Sequence, residues 1–339
     1  MRRQHRLPLL LGHQGGARLE LQRAAGAGGD HLDQKVRRDG RLLALDAKKG
    51  TLVWGIEALR GDNSSFISGP PRIFGDKIAL GFGDTGTARG AVDVYSLEDG
   101  KFLWRWDTEG GGGTVWNAIT YDQELGLLFV GTGNARGEEP NPQACSVVAL
   151  NAMTGKQAWA YDESPEGKHA CESSTDITLA TLTLDGQPRK VILHAPKDGS
   201  FHVIDRQTGR AISSRKLGQG AHNHFAQSFH PGTGLVYLPT TDIPAPVTAD
   251  TPEDAGKSFL LAWDPAKQRA QWAIPTPGAY SGGVLSTAGD LVFQGQSDGY
   301  LVAYSASGGR KAWAFFAGAP PLGAPITYAI GRTQMITLL

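Results

Sequence analysis

The sequence predicts an all-β protein, a β-propeller of four-stranded antiparallel blades, from three observations: its glycine punctuation, a recurring hairpin and the spacing of its tryptophans. Glycine supplies 46 of 339 residues, mostly at turns between short apolar runs, which favours many short strands over long helices. A block LLALDAKKGTLVW from Leu42 to Trp54 recurs as VDVYSLEDGKFLW to Trp104, VVALNAMTGKQAW to Trp159 and FHVIDRQTGRAIS to Ser213. LLAWDPAKQRAQW to Trp272 and LVAYSASGGRKAW to Trp313 complete the series. Each block alternates apolar residues, passes a polar turn that usually holds glycine, and continues into a second strand, the pattern of a β-hairpin. Five of the six end on tryptophan, at intervals of 41 to 59 residues with Ser213 in the fourth slot. That length accommodates one four-stranded sheet per repeat, and sheets that cannot cover both faces alone must stack around an axis. These tryptophans read as packing between blades, each indole N–H needing a partner once buried.

Composition narrows the function classes. Lysine plus arginine and aspartate plus glutamate balance at 33 each, so no net field draws the chain to nucleic acid or an anionic membrane. A small or neutral ligand fits better. No stretch approaches the roughly 20 apolar residues of a membrane-crossing helix, and the patch from Leu7 to Leu11 after Arg2 and Arg3 lacks the length and cleavage site of an export signal. Cys145 and Cys171 are too few for a disulfide framework and badly spaced for zinc, which leaves one bridge or two thiols. Residues 1–38, rich in Arg, Gly, His and Gln without strand alternation, read as a non-propeller or misread segment. Residues 39–339 read as a partial propeller of about six repeats, with both ends of the ring incomplete.

The pattern A-x-D-x-x-T-G-x-x-x-W is similar to the tryptophan-docking repeat of the quinoprotein alcohol and methanol dehydrogenases. That resemblance implies a propeller, incomplete here against the family's eight blades, holding pyrroloquinoline quinone (PQQ) and a calcium or lanthanide ion on its axis. GGGTVWNAITYDQELGLLFVGTGN, from Gly111 to Asn134, resembles the blade supplying a Trp floor for the quinone and an Asn metal ligand, which assigns those roles to Trp116 and Asn134. DGQPRKVILHAPKDGSFHVIDRQTG resembles the segment whose cation binds the quinone oxygens, here Lys197. GAHNHFAQSFHPGTGLVYLP resembles the segment offering an asparagine amide to the cofactor, here Asn223, with His224 in place of a Trp. Ser68 and Arg89 complete the implied cofactor contacts. An aromatic floor holds a flat quinone while a cation and a metal stabilise charge growing on its carbonyl oxygen. Each residue also has a plain structural reading: Trp116 as packing, Lys197 as a solvated turn lysine, Asn134 as a turn former.

Other stretches depart from the family. In FGDTGTARG, from Phe82 to Gly90, Thr85 stands where the family has a glutamate metal ligand, and Asp84 beside it is the alternative carboxylate. In GKHACESSTDITLATL, Ala170 stands where the family has its catalytic aspartate, and His169 and Glu172 flank it as candidate bases. The family's adjacent cysteine pair is absent. The resemblance implies a small alcohol as substrate, a separate electron acceptor such as a cytochrome c, and a periplasmic location. The alternative is a non-catalytic propeller that serves as a scaffold or binding protein, as in outer-membrane assembly lipoproteins that share the repeat.

Overall fold

The computed structural model describes residues 19–23, 40–59, 65–67, 69–84, 89–117, 119–135, 141–164, 172–217, 222–223, 225–242, 257–321 and 323–338. Every regular element among them is a strand, as the short apolar runs between glycine turns require.

The strands gather into antiparallel sheets that follow chain order. The first contains Leu19–Arg23, Arg41–Asp46 and Leu52–Glu57. Within residues 1–38, read from sequence as lying outside the propeller, Leu19–Arg23 thus pairs along Arg41–Asp46, where its backbone satisfies an otherwise open strand edge. The second sheet is built on Lys77–Asp84, Ala91–Ser96 and Phe102–Asp107. The third contains Ile119–Asp122, Leu127–Gly131, Ser146–Asn151 and Gln157–Asp162. The fourth contains Ile177–Leu184, Gln187–His194, Ser200–Asp205 and Ala211–Lys216. The fifth is built on Leu235–Thr241, Ser258–Asp264 and Arg269–Thr276, and the sixth contains Val284–Thr287, Leu291–Gly295, Tyr300–Ser305 and Lys311–Phe316. A hairpin, Ile326–Ile330 with Thr333–Thr337, follows.

Four strands per blade holds for the third, fourth and sixth sheets. In the second and fifth the innermost strand is split in two: Ser65–Phe66 and Arg72–Phe74 both pair with Lys77–Asp84, and His222–Asn223 and Ser228–His230 both pair with Leu235–Thr241. The first sheet has three strands among the described residues. Each repeat hairpin carries a register shift just before its polar turn residue, an acid, an amide or a hydroxyl, as at Ala44/Leu45, Ala149/Leu150 and Ala303/Tyr304. The turn acid then caps its own turn; Asp205 Oδ1, for example, accepts from the Gln207 and Thr208 amides.

The core lies in the seams between sheets. Val92 and Val94 face the third sheet with Leu128, Val130 and Val148, while Ala91 and Tyr95 of the same strand face the first with Leu42 and Ala58. A strand covered on both faces loses the apolar-polar alternation of a half-exposed one, and Ala91–Ser96 and Ser146–Asn151 are buried along nearly their whole length. Equivalent seams join the third sheet to the fourth, the fourth to the fifth and the fifth to the sixth.

The repeat tryptophans lock these seams onto glycine turns. A Cβ added to Gly100 would lie 2.8 Å from the Trp54 ring, and one on Gly155 or Gly209 would lie 2.6 Å from Trp104 or Trp159. Trp272 covers Gly309 in the same way. All four glycines have φ between 69° and 73°, so each turn needs glycine for its backbone as well as for the indole against it. Trp54 Nε1 donates to Leu97 O at 3.2 Å and Trp272 Nε1 to Ala306 O at 3.3 Å. The one repeat without a tryptophan changes both partners: Ser213 meets Gln268, whose Nε2 donates to Ser213 Oγ at 2.9 Å.

Candidate cofactor site

Where the second, third and fourth sheets meet, Trp116 enters on the connection before strand Ile119–Asp122. The chain can pass so closely there because two neighbours lack side chains: a Cβ on Gly69 would lie 2.5 Å from Trp116 O, and one on Gly133 2.5 Å from Glu172 Oε1. Trp116 Nε1 donates to Glu172 Oε1 at 2.9 Å. The ammonium of Lys197, on the turn after strand Gln187–His194, stands 4.4 Å from the Trp116 ring centroid, within range of a cation–π contact. Burial holds the Lys197 ammonium below its usual pKa, and the opposing charge of Glu172 only partly offsets it.

Glu172 is held in place along its backbone. It adopts φ 52°, a left-handed conformation unusual for a glutamate. Its N–H donates to Asn134 Oδ1 at 2.8 Å, and its carbonyl accepts from Lys197 N at 3.4 Å. Asn134 Oδ1 is also 3.6 Å from Cys145 Sγ, and Cys145 shares the left-handed geometry at φ 51°.

Trp116, Asn134, Glu172 and Lys197, read from strings far apart in the chain, are therefore neighbours. Arg89 lies next to them through its backbone: it bridges Gly112, which bridges Ala135, and its side chain is exposed. Asp84 ends its strand opposite Ser65, and Asn223 pairs with Thr240. The side chains of Asp84 and Asn223 lie outside the described residues, as do Ser68, Thr85, His169, Ala170, Cys171 and His224. The question of a bridge between Cys145 and Cys171 falls there too.

Sequence reasoning passed over the support beneath the floor. Ser174 Oγ accepts from the backbone N–H groups of Trp116 and Asn117 at 3.1 and 3.3 Å. Asn117 Nδ2 donates to Asp176 Oδ1 at 3.4 Å. Burial pushes the Asp176 carboxyl above its ordinary pKa against the charge of Arg72. The only sequence signal was the hydroxyl-rich run Ser173-Ser174-Thr175 ahead of a strand, which has the composition of an exposed loop.

An indole face, a partly desolvated ammonium above it and glycines that let backbone close in suit a flat, electron-accepting ring. Lys197 now occupies the face such a ring would cover. A metal fits the described residues less well: the Asn134 amide oxygen already accepts from Glu172, and no group of three or more His, Cys, Asp or Glu among the described residues is arranged to hold an ion.

A family model described as the PQQ-type glucose, ethanol and alcohol dehydrogenase β-propeller domain matches residues 33–223, more than half of the chain. Quinohemoprotein alcohol dehydrogenase ADH IIB of Pseudomonas putida is 34% identical over 89% of this chain and 57% of its own length. The crystal structure of quinohemoprotein alcohol dehydrogenase from Comamonas testosteroni superposes with TM-score 0.80 at 32% identity, covering 88% of this chain and 60% of that one. A europium-containing methanol dehydrogenase, at TM-score 0.75 and 22% identity over 88% of this chain and 69% of that one, shares the fold. The chain thus spans a little over half the length of the curated relatives it matches, and with the family model covering most of its propeller repeats it belongs to the PQQ-dependent alcohol dehydrogenase family.

Proposed function

We propose that this chain forms part of a PQQ-dependent alcohol dehydrogenase that oxidises a small alcohol to an aldehyde in the periplasm and passes electrons to a separate acceptor such as a cytochrome c. The observation carrying this reading is the Lys197 ammonium poised over the Trp116 face with the Glu172 carboxylate at the indole edge. When bound, PQQ is the acceptor of the hydride from the carbinol carbon. Trp116 would be the floor for the quinone ring, and the Lys197 ammonium would meet the negative charge that grows on its carbonyl oxygen. Glu172 takes the hydroxyl proton as general base, in place of the family aspartate that Ala170 replaces. Glycines 69 and 133 keep the floor free of side chains that would block it. Asn223, Ser68 and Arg89 would complete the cofactor contacts, and the calcium or lanthanide ion expected from the family, with Asn134 and Asp84 as its candidate ligands, would have to compete with the Glu172 amide for the Asn134 oxygen.

A non-catalytic propeller is the second reading, favoured by the Asn134 oxygen already being taken by the Glu172 amide. One titration separates the two. PQQ is added to the protein with calcium, with lanthanum and with neither, following tryptophan quenching in the native chain and in Trp116→Ala and Lys197→Ala. Saturable quenching lost in both variants supports the quinone site. No saturable quenching under any metal removes it and leaves the scaffold.

A further inference from the structure

Next to Ser174, whose hydroxyl holds the Trp116 amide, lies a buried polar chain that the proposed reaction does not use. Glu163, His194 and Thr175 are all at most 6% exposed. His194 Nδ1 lies 2.7 Å from Glu163 Oε1, and His194 Nε2 lies 3.0 Å from Thr175 Oγ1. The Thr175 hydroxyl donates its single proton to Ala195 O at 2.8 Å, so it must accept from His194 Nε2–H. This sets the imidazole orientation and leaves one proton shared between Nδ1 and Oε1. A Glu–His pair taken out of water is costly unless fully hydrogen-bonded, which makes its presence in a seam of a propeller worth an explanation.

The chain of contacts ends on the segment that carries the site. Residues Glu172 to Asp176 run as a connector, buried at Ser173, Ser174 and Thr175, in which each residue is held separately. The Glu172 N–H goes to Asn134 Oδ1 and the Ser173 N–H to Thr132 O at 3.0 Å. Ser174 Oγ holds the Trp116 and Asn117 amides, Thr175 is held by His194, and Asp176 accepts from Asn117. Glu163 closes the loop from the other side: its backbone N–H donates to Cys145 O at 2.9 Å, and Cys145 N donates to Gly133 O, beside Asn134. One anchored pair therefore reaches both Gly133, next to the Asn134 that holds Glu172, and Thr175, next to the Ser174 that holds Trp116.

We propose that the Glu163–His194–Thr175 chain is a positioning device that sets the Glu172–Asp176 connector, and through Ser174 and Glu172 the tilt of the Trp116 ring. Its consequence for PQQ affinity rests on the quinone reading above; its effect on the Trp116 ring does not. The test is fluorine NMR of protein labelled with 5-fluorotryptophan, the Trp116 line among eight tryptophans being assigned by its loss in Trp116→Phe. Glu163→Gln and Thr175→Val move the Trp116 line, Thr175→Ser leaves it in place by keeping the hydroxyl, and Val203→Ala, a core deletion in the same sheet, lowers stability without moving it. In parallel, PQQ binds Glu163→Gln and Thr175→Val about tenfold more weakly, the size of one lost charged hydrogen bond. A Trp116 line unmoved in either folded variant, with unfolding temperature alone reduced, would overturn the proposal. Failure of the native protein to bind PQQ would sink the quinone reading, and the fluorine shifts alone would then decide the positioning role.

Discussion

Glu172 has two functions that substitution can separate. Its carboxylate is the proposed base and also accepts the Trp116 N–H, and an amide oxygen can still do the second. Glu172→Gln is therefore expected to lower kcat for alcohol oxidation by about 10²- to 10⁴-fold, the usual worth of a general base, with PQQ affinity little changed. Equal losses in kcat and affinity would instead make Glu172 a support for the floor alone. The buried cluster behind it gives the fold an acid limit. Burial pushes Glu163 up, but the facing imidazoles of His194 and His202 reverse this and hold its carboxyl below the ordinary 4.5. Below that ordinary value the unfolded chain takes up a proton that the native chain refuses, so this stabilisation is complete above about 4.5 and is lost as pH falls through the folded value. Burial holds His202 below 6.5, and its sign is the same: the unfolded chain protonates first, and stability begins to fall as pH drops under about 6.5. The melting temperature should thus decline in two stages on acidification, His202→Gln removing the upper stage and Glu163→Gln flattening the lower. A single stage unaffected by either variant would count against both assignments. The convergence of Trp116, Asn134, Glu172 and Lys197 was legible because each sits in, or beside the expected base of, a string that resembles a segment of the family's cofactor site. Ser174, Thr175 and His194 were not, because a hydroxyl or imidazole that holds a backbone from behind has no spacing that distinguishes it from a solvated loop.

At the level of elements, the repeat hairpin is a lock with two halves, an indole on one sheet and a left-handed glycine turn on the next. The fourth seam lacks both. Ser213 and Gln268 exchange a hydrogen bond there, and Gln268 is held at φ 51°, where a side chain is strained. Restoring the consensus pair should help only when both halves change: Ser213→Trp alone meets the Gln268 side chain, and Gln268→Gly alone leaves an open face. The double variant Ser213→Trp, Gln268→Gly is expected to gain about 1 kcal/mol from relief of the turn and indole burial, with a favourable coupling between the two sites. Urea unfolding of the four proteins of the cycle measures it, and additive single effects would show that the seam does not use the lock. In the sequence the missing tryptophan was visible at Ser213, but its compensation at Gln268 was not. The two positions are 55 residues apart, and only the stacking of sheets makes them a pair.

For the whole molecule, stability is distributed over the seams, since every hydrophobic cluster joins two successive sheets or a sheet and the last hairpin. Such an architecture behaves as a row of nearest-neighbour interfaces, and a tryptophan should matter according to whether a sheet covers it. Trp104 lies on Gly155 inside the second seam. Trp313 is 50% exposed and stacks instead on Phe315, with ring centroids 6.0 Å apart and an interplanar angle of 6°. Trp104→Ala is expected to cost about 3 kcal/mol and Trp313→Ala under about 0.5 kcal/mol in this chain. Comparable losses in denaturant unfolding would mean that the outer face of the sixth sheet is covered in solution. The balanced net charge bears on partners alone. It leaves a fold held by apolar seams and a site whose electrostatics are local to Lys197, Glu172 and the cluster behind them.

The chain by itself determined the all-β class, the hairpin repeat with its terminal tryptophans and the resemblance to the family, because these features are carried by local period and by short strings within one blade. Only the tertiary structure decided that Lys197 lies over the Trp116 face, that the Glu172 carboxylate accepts from the indole N–H, and that Glu163, His194 and Thr175 adjoin the connector that carries Glu172. The physical reason is that these contacts join the second, third and fourth sheets. Side chains some 20 to 60 residues apart along the chain come within hydrogen-bonding distance only when the apolar seams between sheets close, and no local pattern records that closure.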